Sequence, residues 1–127
     1  MPLDNPAYVI EGEPAKLGKP IELDLGGRGI RSIERVGSDY LIVAGPYNDD
    51  GSFALFRWTG VPDAVPQEID TAGQMADLNP EAIFAIPDTA AAQILSDDGG
   101  VRIDGEACKD LDDDSEKSFR SIVFVPG

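Results

Sequence analysis

Apolar residues in this chain fall into short runs, some alternating with polar residues and some continuous, and turn formers bound nearly all of them. Ile21, Leu23 and Leu25 alternate with Glu22 and Asp24, the period of two of a strand with one wet face, and Gly26-Gly27 stops the run. The pattern then predicts a strand over 30–36, a Gly37-Ser38-Asp39 turn, and a continuous apolar strand over 40–44 that should be buried on both faces. In the loop that follows, Asn48-Asp49-Asp50-Gly51 supplies residues tolerant of positive φ, so the chain can reverse into a strand over 53–58. A weaker strand over 67–70 comes after a Pro-flanked turn. The second round has a strand over 81–86, a turn at Pro87-Asp88, a strand over 93–96, an Asp97-Asp98-Gly99-Gly100 loop and a short third strand near 107–111. Helical periodicity is almost absent, because fourteen glycines and ten prolines interrupt most windows long enough to hold a helix.

The two rounds share one order: strand, tight turn, buried strand, Asp-Asp-Gly loop, outer strand. Arg120-Ser121-Ile122 echoes Arg31-Ser32-Ile33, at a spacing that divides into two repeats of about 44 residues, and four-stranded repeats of that length are the mark of propeller blades. The expected fold is therefore all-β, with antiparallel four-stranded blade-like repeats forming a partial β-propeller of about two and a half blades. A single domain over 1–127 would hold full units at 29–70 and 79–111, with partial units at 8–25 and 119–125. Ten strands are too few to close a propeller ring, so self-association is expected to complete the sheets; a small β-sandwich is the alternative.

Charge narrows the partners. Twenty-four acidic against ten basic residues give a net charge of −14, which repels phosphate backbones and anionic lipid, so neither nucleic acid nor a membrane surface is expected as a partner. No window approaches the ~20 apolar residues of a membrane span. Met1-Pro2-Leu3-Asp4-Asn5-Pro6 has neither the basic start nor the apolar core of a signal peptide, which makes the cytoplasm the default location unless an upstream signal has been trimmed. The single cysteine, Cys108, rules out an internal disulfide, and the absence of histidine removes the commonest metal ligand and general base.

Several segments together resemble one bacterial family. They are Leu25-Gly26-Gly27-Arg28-Gly29-Ile30-Arg31-Ser32-Ile33-Glu34, Tyr40-Leu41-Ile42-Val43-Ala44-Gly45-Pro46 and Phe53-Ala54-Leu55-Phe56-Arg57-Trp58, joined later by Leu78-Asn79-Pro80-Glu81-Ala82, Leu95-Ser96-Asp97-Asp98-Gly99, Cys108-Lys109-Asp110-Leu111 and Phe119-Arg120-Ser121. The family is DUF3616. The resemblance implies a propeller-like fold, with this chain matching the C-terminal portion of longer members, and it implies no particular activity.

Two clusters could carry chemistry. Glu81, after Asn79-Pro80, and Asp97-Asp98, after Ser96, would stand at the mouth of a propeller channel, where Glu81 and Asp97 could hold a hard cation such as Ca²⁺. The plainer reading is turn residues that satisfy their own backbone. Arg31 and Arg120, with Arg28 and Glu34, could bind an anion, or could serve as ion-pair partners between units. Gly26-Gly27-Arg28-Gly29 precedes no helix, so it reads as a strand connection rather than a phosphate loop. Trp58 and Phe56 read as core, Cys108 as an inert thiol, and Asp112-Asp113-Asp114 with Glu116 as a solvated acidic loop.

Two function classes follow. One is a noncatalytic propeller-type interaction module, a homo-oligomer with an unknown small-molecule ligand. The other is a Ca²⁺-dependent phosphoester or ester hydrolase of propeller type, which would have to work without histidine or an evident nucleophile and base.

Overall fold

The computed structural model describes residues 1–48 and 51–127. Among these residues a five-residue helix, α1 (Pro6–Ile10), precedes nine strands: β1 (Gly29–Val36), β2 (Asp39–Gly45), β3 (Ala54–Trp58), β4 (Gln67–Ile69), β5 (Pro80–Ala85), β6 (Ala92–Ser96), β7 (Arg102–Ile103), β8 (Glu106–Ala107) and β9 (Ser121–Phe124). They form a four-stranded sheet, β1-β2-β3-β4, a three-stranded sheet, β5-β6-β9, and a two-stranded ribbon, β7-β8. Every pairing is antiparallel, so the protein is all-β, and none of the sheets closes on itself. Among the described residues no helix is long and apolar enough to cross a membrane.

The first sheet follows the apolar pattern closely. Gly37, at φ +65°, supplies the left-handed residue of the tight β1–β2 turn, and β2 is buried on both faces. Leu41 and Val43 face one way, joined by Leu55, and meet Ile83, Ala92, Ile94 and Phe124 of the second sheet in a shared core. Ile42 and Ala44 face the other way with Ala54, Phe56 and Trp58. Full burial of side chains such as Leu41, Ile42, Leu55 and Ile94 contributes about 1.5–3 kcal/mol each relative to exposure. Trp58 keeps its indole N–H satisfied by donating to the carbonyls of Val61 and Ala64, both at 3.1 Å.

Three expectations need correction. The stretch over 8–25 does not form two strands. Pro6 opens α1, Leu3 and Leu17 make one isolated bridge, and the Asn5 side chain ties Pro14 and Lys16 back to the chain start. Ile21, Leu23 and Leu25 do turn inward, covering the Ile42/Phe56 face of the first sheet, but as an extended segment with no ladder. Their alternation records burial, which needs no strand partner.

The third strand of the second sheet is β9, not a segment near 107–111, which is instead the end of β8 followed by a 3₁₀ turn over Cys108–Asp110. The excursion over 97–120 separates β6 from its partner, so the run near 119–125 belongs to the second unit and does not begin a third. Arg120 accordingly precedes an outer strand and is not equivalent to Arg31 on β1, whatever the echo in sequence. The match of Asp49-Asp50-Gly51 with Asp97-Asp98-Gly99 in sequence rests partly on Asp49 and Asp50, which lie outside the described residues.

The two sheets are joined at their first strands. The Ser32 hydroxyl accepts the Ile83 N–H and the Glu34 carboxylate accepts the Ala85 N–H, each at 3.2 Å, so β1 and β5 advance side by side in the same direction. Each of these strands also has a register shift at one position: Arg31 is the extra residue between Ile30 and Ser32, and Glu81 the extra residue between Pro80 and Ala82.

Candidate functional site

The paired irregularities determine where the charged side chains go. An extra residue in a strand re-aims its side chain relative to its neighbours, and here two such residues on adjacent strands bring Arg31 Nη1 within 3.4 Å of Glu81 Oε1. The pair is partly exposed, at 35% and 43% of the side-chain surface. Arg31 also donates from Nη2 to the Pro46 carbonyl at 2.6 Å, fixing its head against the loop after β2. Glycine leaves room beneath it: a Cβ on Gly45 would stand 2.6 Å from the Phe53 ring and 2.9 Å from Arg31 Nε, so one of these side chains would have to shift.

Arg31 and Glu81 line a cleft of about 760 Å³ at the end of the two sheets where β1 and β5 begin. Asn79 and Asp97 stand on its wall, with Phe53 and Leu78 as its half-buried apolar lining. The wall is braced by main-chain and side-chain bonds: the Asn79 N–H donates to Ser96 Oγ at 2.9 Å, the Asp97 N–H to the Asn79 carbonyl at 2.8 Å, and the Gly99 N–H to Asp97 Oδ1 at 3.0 Å.

Asp98 points the other way. It is buried, and its carboxylate accepts from Ser96 Oγ at 2.7 Å and from the Arg120 main-chain N–H, Nε and Nη2 at 2.8 Å each. The bidentate guanidinium and the added donors hold the Asp98 carboxyl well below the usual carboxylate range, against the opposing effect of burial. Of the five residues expected to contact a ligand, then, Arg31, Glu81 and Asp97 share one cleft, whereas Asp98 and Arg120 bind each other and fasten the 97–120 excursion to the end of β6.

Among the described residues no group of three or more histidine, cysteine, aspartate or glutamate side chains is placed to hold a metal ion. Glu81 and Asp97 are thus two carboxylates with a guanidinium beside one of them. The acidic loop satisfies itself: Asp113 accepts from the Ser115 N–H and hydroxyl, and Asp114 pairs with Lys117, which keeps both aspartates below their ordinary range. Cys108 is buried, its Sγ donating to the Ser118 carbonyl at 3.4 Å.

Sequence reasoning missed Ser32 and Glu34 as acceptors for the neighbouring sheet, and it missed Phe53 and Gly45 as parts of the cleft. One signal was present. In Pro80-Glu81-Ala82-Ile83 the charge of Glu81 directly follows an apolar residue and the next large apolar residue comes three positions after Pro80, a break in the period of two consistent with an extra residue between them.

The profile of a family described as a protein of unknown function, DUF3616, matches residues 10–98. The chain belongs to the DUF3616 family. The matched residues of this DUF3616 protein run from the end of α1 to Asp98 and so include Arg31, Glu81 and Asp97, while the rest of the excursion and β9 lie beyond them. No curated protein and no solved structure matches the chain.

Proposed function

We propose that this DUF3616 chain is a noncatalytic interaction module of the β-propeller kind, whose open second sheet is completed by another copy of the chain. The blade-like reading is supported by the repeat itself. Each unit has a hairpin with its extra residue at the same place, the two sheets stack face to face across one core, and their first strands run side by side in one direction. The absence of histidine from the sequence and the commitment of Asp98 to Arg120 favour binding over catalysis.

One observation carries the association. The outer face of the first sheet is covered by Ile21, Leu23 and Leu25, whereas the corresponding face of the second leaves Phe84 40% and Val123 58% exposed. Beside that face β9 pairs with β6 alone among the described residues, although its counterpart β3 has β4 on its far side. Phe84 and Val123 flank Gln93 on this face, and exposed apolar side chains next to an unpaired strand edge make a surface that association covers; a two-fold pairing of like with like does so without a separate partner.

Light scattering on the eluting protein tests this. Dimers or larger closed assemblies are expected at micromolar concentration. Phe84→Asp and Val123→Asp should each raise the dissociation constant by at least roughly a hundredfold, because a symmetric interface buries each introduced carboxylate twice. A wild-type chain that stays monomeric through the micromolar range overturns the proposal.

A further inference from the structure

We propose that the cleft between the two sheets binds a small neutral polyhydroxylated molecule, of the saccharide class, with Arg31, Glu81 and Asp97 supplying its hydrogen bonds. The volume of about 760 Å³ lies within the range of small-molecule sites, and the lining combines a few convergent polar groups with an apolar surface, here Phe53 and Leu78.

The charges select against an anion, and the donor set selects against a hard cation. An anion would meet Glu81 and Asp97 as well as a net charge of −14. A hard cation such as Ca²⁺ takes six to eight oxygen ligands at about 2.3–2.6 Å, and Glu81 already faces a guanidinium at 3.4 Å. A hydroxyl group, by contrast, both donates and accepts. Arg31 offers a rigid fork of donors, with Nη2 committed to Pro46 and Nη1 facing Glu81 at 3.4 Å, while Glu81 and Asp97 keep further acceptor sites on the same lining. A ring carrying several hydroxyls meets such a mixed set with a donor for each carboxylate and an acceptor for the guanidinium, and its C–H faces suit Phe53 and Leu78.

The fit is also prearranged. Gly45 leaves room for the Phe53 ring and the Arg31 head to lie side by side, and the Ser96–Asn79–Asp97 bonds fix the opposite wall. Holding these groups before a ligand arrives removes part of the ordering cost of binding.

The test is an NMR titration of the full chain with D-glucose, D-galactose and cellobiose, alongside glycine betaine, 1,5-diaminopentane and calcium chloride. At least one of the three sugars is expected to bind, with shifts confined to residues around the cleft. Its affinity should fall about tenfold or more in Arg31→Met and in Glu81→Gln, each of which removes one charged hydrogen-bonding group from a partly exposed position. The proposal is overturned if none of the sugars binds, if binding is unchanged in both variants, or if betaine, the diamine or calcium binds the same residues more tightly. These readouts do not involve Phe84 or Val123, so they stand or fall separately from self-association.

Discussion

At the scale of single residues, the buried Asp98 and the half-exposed Arg120 show how one carboxylate can be structural although its neighbour faces a cleft. Asp98 has its oxygens filled by Arg120 and Ser96, and removing Arg120 would leave a charge buried with two donors in place of four. Arg120→Met should therefore lower the midpoint of chemical denaturation by leaving the buried Asp98 carboxylate with fewer donors, and Asp98→Asn should lower it less, because Arg120 is free to turn to solvent. The pH dependence has a definite sign. The folded chain holds the Asp98 carboxyl below its unfolded value, so the stabilisation is complete above about pH 4 to 5 and is lost as pH falls through the lowered folded value. Asp98→Asn should flatten the acid limb of the stability curve measured by denaturation at successive pH values; an unchanged limb would mean that this pair contributes nothing to it.

At the scale of elements, β1 and β5 are joined by side chains rather than by a ladder. Ser32→Ala should cost about 1 kcal/mol by leaving the Ile83 N–H without its acceptor, and Glu34→Ala a similar amount through Ala85, as read from the midpoint of urea unfolding. Neither should change the slope of the transition, since no core surface is lost. The elements that were legible in sequence are those whose hydrogen bonds are local: the β1–β2–β3 meander and the β5–β6 hairpin, each announced by alternation or a continuous apolar run between turn residues. Those that were not depend on distant partners. Nothing in Ser121-Ile122-Val123-Phe124 says that it pairs with β6 across a long excursion, and nothing in Ile21, Leu23 and Leu25 says that their inward faces come without a ladder. The site was legible to the same degree. Arg31 and Glu81 stand out as charges near strand starts and Asp97 as one just past a strand end, but their shared cleft depends on two extra residues in register and on the parallel contact of β1 with β5, both products of tertiary packing.

For the whole molecule, the second sheet is the unfinished part. The first sheet has four strands and is covered on both faces; the second has three, with Phe84 and Val123 exposed on its far side. Completion by a second copy should bury that face and shield the outer edge of β9, and both effects should grow with protein concentration. Hydrogen–deuterium exchange of the β9 amides that point away from β6, followed from sub-micromolar to sub-millimolar protein, measures this directly. Protection that rises with concentration, and disappears in Val123→Asp, is the predicted result; exchange of those amides at the unprotected rate across the whole range would contradict it.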